Sequence, residues 1–179
     1  MLRALLALSL LVTGCASTGG GGATGGADGA QEAFDNLTGN DMQAVLTEMG
    51  LVWERSVDPD GDPVFLVEIA GTKTLLFMYR GKSGAAGEYY SLQLSAAFGF
   101  PEGIGPDLNS INKWNYDKRF CRAFLDSDED PVLQSELFMD GGVTPETVRR
   151  FLERFEWAVR DFRTHIGFDG RKEPERRVI

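Results

Sequence analysis

Cysteine, histidine, positive charge and long apolar runs are all scarce in this chain, and each shortage removes a class of function. There are two cysteines, Cys15 near the N-terminus and Cys121 in the body; with Cys15 assigned to another role below, the body folds without an internal disulfide. The single histidine, His165, leaves no His-Glu-x-x-His zinc helix, and the chain has neither a paired-cysteine metal motif nor a Gly-x-Ser-x-Gly nucleophile turn. Lys and Arg number 18 against 27 Asp and Glu, a net charge of −9. That is the wrong sign for the basic face a nucleic-acid binder needs, and for lying flat on anionic lipid. The one apolar run, Ala4 to Val12 interrupted only by Ser9, is shorter than the ~20 residues of a membrane-spanning helix.

That short run follows Arg3, the order of a secretory signal. Leu11-Val12-Thr13-Gly14-Cys15 then resembles a lipobox. Small residues precede a cysteine whose thiol takes a diacylglyceryl group and becomes the new N-terminus. Residues 1–14 read as signal peptide and Cys15 as the lipidation site. Several acyl chains anchor far more firmly than one. Ala16 stands where aspartate would direct inner-membrane retention; the resemblance to envelope lipoproteins then implies the outer membrane, facing the periplasm, in an organism that has one, with the lipid as sole membrane contact. Residues 15–33 are dominated by Gly, Ala, Ser and Thr. They read as a tether, and a Gly-rich coil of about fifteen residues reaches on the order of 20 Å. No strand precedes these glycines and no Lys-Ser/Thr closes them, so they are not a phosphate loop.

Residues 34–168 then form one domain, followed by a charged tail at 169–179. Met42, Val45, Leu46 and Met49 share one helical face, opened at Asp41 and closed by Gly50. Strand patterns cover 51–57, 64–69, 73–79 and 89–98, with turns at 58–62 and Gly71-Thr72 and a glycine loop at 81–87. In the fourth, Tyr90, Leu92, Leu94, Ala96 and Phe98 alternate on one face. Asp107 caps a second helix carrying Leu108, Ile111 and Trp114. Strands at 119–126 and 132–139 pair as a hairpin. Thr144-Pro145-Glu146 opens a last helix whose apolar stripe runs from Val148 to Ile166. The order α-β-β-β-β-α-β-β-α, with hairpin-length links between strands, predicts an α+β fold: an antiparallel sheet of about six strands packed by helices.

Most apparent chemistry dissolves on inspection. Gly81-Lys82-Ser83 lacks the earlier glycine of a phosphate loop. Asp58/Asp60/Asp62 and Asp126/Asp128/Asp130 imitate half a calcium loop, but Pro63 and Pro131 stand where glycine is needed, and Ile69 and Leu137 where glutamate is. Cys121 alternates with Ala123 and Leu125 on a face that reads as buried, an unreactive setting for a thiol. No catalytic residue, metal or cofactor is assigned. Two regions remain of interest. Trp114 and Asn115 form a candidate binding region, with core packing and helix-end bridging as the competing structural reading. Strands 64–69 and 73–79 are apolar on both faces (Val64 and Leu66 behind Phe65 and Val67; Leu75, Phe77 and Tyr79 behind Leu76 and Met78). Helices on one side cannot cover both. The second face is therefore expected either to be covered by the first helix or the segment around Phe34 and Leu37, or to serve self-association or partner capture.

Ile111-Asn112-Lys113-Trp114-Asn115, the run from Arg119 to Asp126, Gly141-Gly142-Val143-Thr144 and the aromatic-rich last helix together resemble the YbjN domain family, described as bacterial sensory-transduction regulators. The resemblance covers roughly residues 40 to 166. It implies a fold similar to type III secretion chaperones and supplies no catalytic residues. The resulting expectation is a non-catalytic, chaperone-like or regulatory module that binds a protein partner; the alternatives are a small-ligand sensor and an enzyme with an unrecognised site.

Overall fold

The computed structural model describes residues 37–81, 89–101 and 103–168. The expected signal peptide, Cys15, the tether, Phe34, most of the 81–87 loop and the charged tail lie outside the described residues. The elements are α1 (Gly39–Glu48), β1 (Trp53–Val57), β2 (Pro63–Ile69), β3 (Thr72–Tyr79), β4 (Ser91–Ala97), α2 (Leu108–Asp117), β5 (Arg122–Leu125), β6 (Pro131–Phe138) and α3 (Pro145–His165). The expected α+β order is the observed one.

Helix ends follow their caps. Thr38 caps α1, its hydroxyl accepting from the Asp41 amide while the Asp41 carboxylate accepts from the Thr38 amide at 2.8 Å. Asp41 is therefore the third helical residue and the return half of a capping box, not the cap itself. Asp107 caps α2 and Thr144 caps α3 as expected, with Pro145 at the first turn. The β2–β3 turn sits one residue earlier than the pattern implied. Ala70 and Gly71 both adopt positive φ, the two-residue hairpin geometry, and Thr72 is already in strand and buried.

The acidic turns are built alike. Asp58 Oδ1 accepts from the amides of Asp60 and Asp62, and Asp126 Oδ1 from those of Asp128 and Asp130. Gly61 and Glu129 occupy the left-handed position in each. The lead carboxylates are committed to folding the backbone, as short acidic side chains do in turns.

All six strands are antiparallel in the order β1-β2-β3-β4-β6-β5. The chain leaves β4, crosses through α2 to the sheet's edge as β5, then turns back so that β6 fills the place beside β4. The three helices contribute to one core on one face. Met42 and Leu46 of α1, Trp114 of α2, and Leu152, Phe155 and Phe162 of α3 join the inward residues Phe65, Val67, Leu76, Leu92 and Leu94. Leu37 and α1 thus pack on the inner face. Val64, Leu66, Leu75, Phe77 and Tyr79 are not part of that core; they are aligned across strands on the opposite face as the pairs Val64 with Phe77 and Leu66 with Leu75. On that outer face Val64 is buried while Leu75 and Tyr79 are exposed.

Tyr90 departs from the expected alternation. It is exposed, whereas Tyr89 is buried and bridges to Leu37. The regular pleat starts only at Ser91, so parity does not carry back to Tyr90.

Candidate functional site

The sequence pattern runs the fifth strand from Arg119. The structure starts β5 at Arg122, and the difference creates the most distinctive feature of the surface. Phe120 holds φ at 76°, a left-handed conformation that no strand residue adopts and that an aromatic residue rarely tolerates. The Phe120 carbonyl, turned out of the ladder, accepts instead from Ser135 Oγ at 2.7 Å. Phe120 as a whole is 67 % exposed. Arg119 and Arg154 place guanidinium carbons 5.4 and 5.6 Å from the ring centre, cation–π distances. Neither arginine has a carboxylate partner among the described residues, whereas nearby Lys118 pairs with Asp161 and Arg150 with Glu146 and Glu153.

Two cavities meet at this break, one on each face of the sheet. The outer, about 360 Å³, is lined by Gln93, Lys118, Arg119, Arg122, Gln134 and Glu136 along with the Phe120–Cys121 corner. The inner, about 430 Å³, lies between β6 and the first half of α3 and is lined by Phe120, Leu137, Phe151 and Phe155, with Glu146, Arg150 and Arg154 at its rim. Hydrogen bonds from Arg149 and Arg150 hold the Glu146 carboxyl below the usual carboxylate range, so it enters this rim as a neutralised anion.

Cys121 sits at the seam of both cavities. Burial pushes its thiol up to about 11, against a smaller lowering by a hydrogen bond with Ser135. A thiol so protonated is not a nucleophile at neutral pH. His165 is engaged elsewhere: its Nε2 lies 2.8 Å from the Ser110 carbonyl and 3.3 Å from Ser110 Oγ. An Nε2–H that donates to a carbonyl cannot also take the serine's proton, so this contact is a structural tie between α3 and α2.

The structure places Trp114 and Asn115 in the framework. Trp114 is 1 % exposed, packs edge-on to Phe162 at 4.9 Å and has no acceptor for its indole N–H among the described residues. Neither residue lines the two cavities. Asn115 has a more specific task. Its side-chain oxygen accepts from the Ala123 amide at 2.8 Å and its amide donates to the Ala123 carbonyl at 2.9 Å, imitating a neighbouring strand at the middle of β5. The expected site residues therefore support the hairpin that carries the Phe120 site without forming it. Nothing in the pattern around Phe120 flags a positive φ, because a phenylalanine between basic residues and an apolar alternation reads as strand.

The model of a family described as "putative bacterial sensory transduction regulator", YbjN, matches residues 39–168. The chain belongs to the YbjN family. The match starts at α1 and ends with the turn after α3, so it takes in the whole described YbjN domain. A crystal structure of YbjN, "a putative transcription regulator from E. coli", is similar at 15 % identity and a TM-score of 0.43, over 72 % of this chain and 85 % of that one. No curated protein matches the chain.

Proposed function

We propose that this chain is a membrane-tethered, non-catalytic regulatory module of the bacterial envelope that binds a protein partner, with Cys15 as its lipid anchor and the cleft at Phe120 as its binding site. The observation that supports the reading is Phe120 itself. It is an exposed aromatic in a strained backbone conformation, flanked by two arginines without carboxylate partners in a chain of net charge −9. Aromatic and arginine side chains beside a pocket are the composition of binding hot spots. The protonated Cys121 and the committed His165 offer no activated nucleophile or base, which favours recognition over reaction. The family's description as a regulator agrees with that.

The test is site-specific photocrosslinking in the full lipidated chain. A photoreactive residue at position 120 should yield a discrete protein adduct that disappears in an Arg119→Glu/Arg154→Glu background. The same group at the exposed Leu108 of α2 should not yield it. Equal adducts at both positions, or an adduct indifferent to the charge reversal, would overturn the reading.

A further inference from the structure

The cleft at Phe120 is also an unfinished strand pairing, and its geometry specifies what would complete it. Phe98 donates to the Pro131 carbonyl and Met139 to the Tyr90 carbonyl. In an antiparallel ladder this assigns the odd-numbered residues of β6 to bonds with β4 and turns the N–H and C=O of the even-numbered ones the other way. On that other side Val132 faces Phe124 and Gln134 faces Arg122. Glu136 is next in line and would meet Phe120, but Phe120 has turned away. The main-chain groups of Glu136 and Phe138 have no hydrogen-bond partner on that side among the described residues, and Phe138 is 58 % exposed. Further along, β5 covers β6 up to Gln134, and Asn115 occupies the outward main-chain groups of Ala123 in the middle of β5.

We infer that this edge accepts an extended peptide segment added antiparallel to β6 in line with β5, whose side chains alternate between acidic and apolar. The inference rests on the reading of the Phe120 cleft as a protein-binding site and adds its mode and chemistry. Strand addition draws affinity from main-chain bonds and specificity from pockets that take alternate side chains. Here the two cavities lie on opposite faces of the missing strand. Peptide residues directly across from Glu136 and Phe138 point to the outer face, where Lys118, Arg119 and Arg122 gather. Glu136 is the one acid among the lining residues, and it already accepts from Ser91 Oγ at 3.3 Å; Lys118 is held by Asp161, which leaves Arg119 and Arg122 to meet the peptide's carboxylates. The intervening peptide residues point inward, onto Phe120, Leu137, Phe151 and Phe155. The opposite edge of the sheet, β1, is exposed too, but it carries Glu54 and Arg55 along its length, the charged pattern that discourages pairing.

The probe is an eight-residue peptide of alternating leucine and glutamate with blocked ends, measured by fluorescence anisotropy against the full-length chain in detergent. In the inferred register the glutamate amides face β6 and the leucine amides face solvent. Backbone N-methylation of two glutamates should weaken binding at least ten-fold, while the same modification of two leucines should leave it unchanged. Glu136→Pro removes the outward N–H without touching the β4 ladder, and should match the glutamate methylation; Glu136→Ala, which keeps that N–H and removes a like charge facing the peptide's glutamates, should bind more tightly than wild type. Equal binding of the two methylated peptides overturns strand addition and leaves Phe120-dependent crosslinking standing. No binding of the unmodified peptide overturns the acidic–apolar assignment. Loss of the Phe120 crosslink itself is the separate result that overturns the protein-binding reading.

Discussion

Cys121 shows how one side chain records its surroundings. Its thiol is pushed from its ordinary 9.0 up to about 11 by burial. An acid whose folded pKa is raised stabilises the fold fully below the unfolded pKa, and that contribution is lost as pH rises, because the unfolded chain releases its proton first. Stability should therefore decline between about pH 9 and pH 11, by about 2–3 kcal/mol in all. Denaturant midpoints measured across this range for wild type and Cys121→Ala should diverge in slope, the variant lacking this part of the decline. A wild-type curve parallel to the variant's would show the thiol is not shielded. That Cys121 is buried was legible from its alternation with Ala123 and Leu125. Its position on the seam of two cavities was not, since that depends on the φ of Phe120, and a left-handed phenylalanine leaves no mark in a pattern of hydrophobicity.

At the scale of elements, the six strands and three helices emerge in the expected order because the periodicities are long and the caps conventional. The errors sit where tertiary contacts override local pattern. The Thr38–Asp41 capping box moves the start of α1 to Gly39, and the Ser135 hydroxyl takes the Phe120 carbonyl out of the β5 ladder. The join between α2 and β5 depends on Asn115, whose side chain makes two hydrogen bonds to the backbone of Ala123. Asn115→Ala leaves a partly buried backbone donor and acceptor unpaired, and should lower stability by about 1–3 kcal/mol. Hydrogen exchange should locate the loss: the Ala123 amide should exchange faster in the variant while amides of β2 and β3 are unchanged. Uniform acceleration across the sheet would mean that Asn115 supports the whole fold and not this edge alone.

At the scale of the whole molecule, one sheet faces two environments. Its inner side is closed by the helices, while the outer side carries Leu75 and Tyr79 at 40 % and 36 % exposure. The proposed anchor is tested by Cys15→Ala: the variant should accumulate as unprocessed precursor or as soluble protein, whereas the native chain should partition with detergent. Cleavage after Gly14 with unchanged partitioning in the variant would remove Cys15 from that role.

The strand order sets the sequence of events by which the molecule is made. β1 to β4 pair with their neighbours in the chain, so the first four strands can zip up as soon as they leave the ribosome or a translocation channel. β6 cannot dock on β4 until α2 and β5 have followed, and the inner face is not sealed until α3, the last element, arrives. Loop closure of this kind is slow relative to hairpin formation. A nascent chain that follows this order passes through a stage in which the β4 edge and the apolar floor of the sheet are bare together.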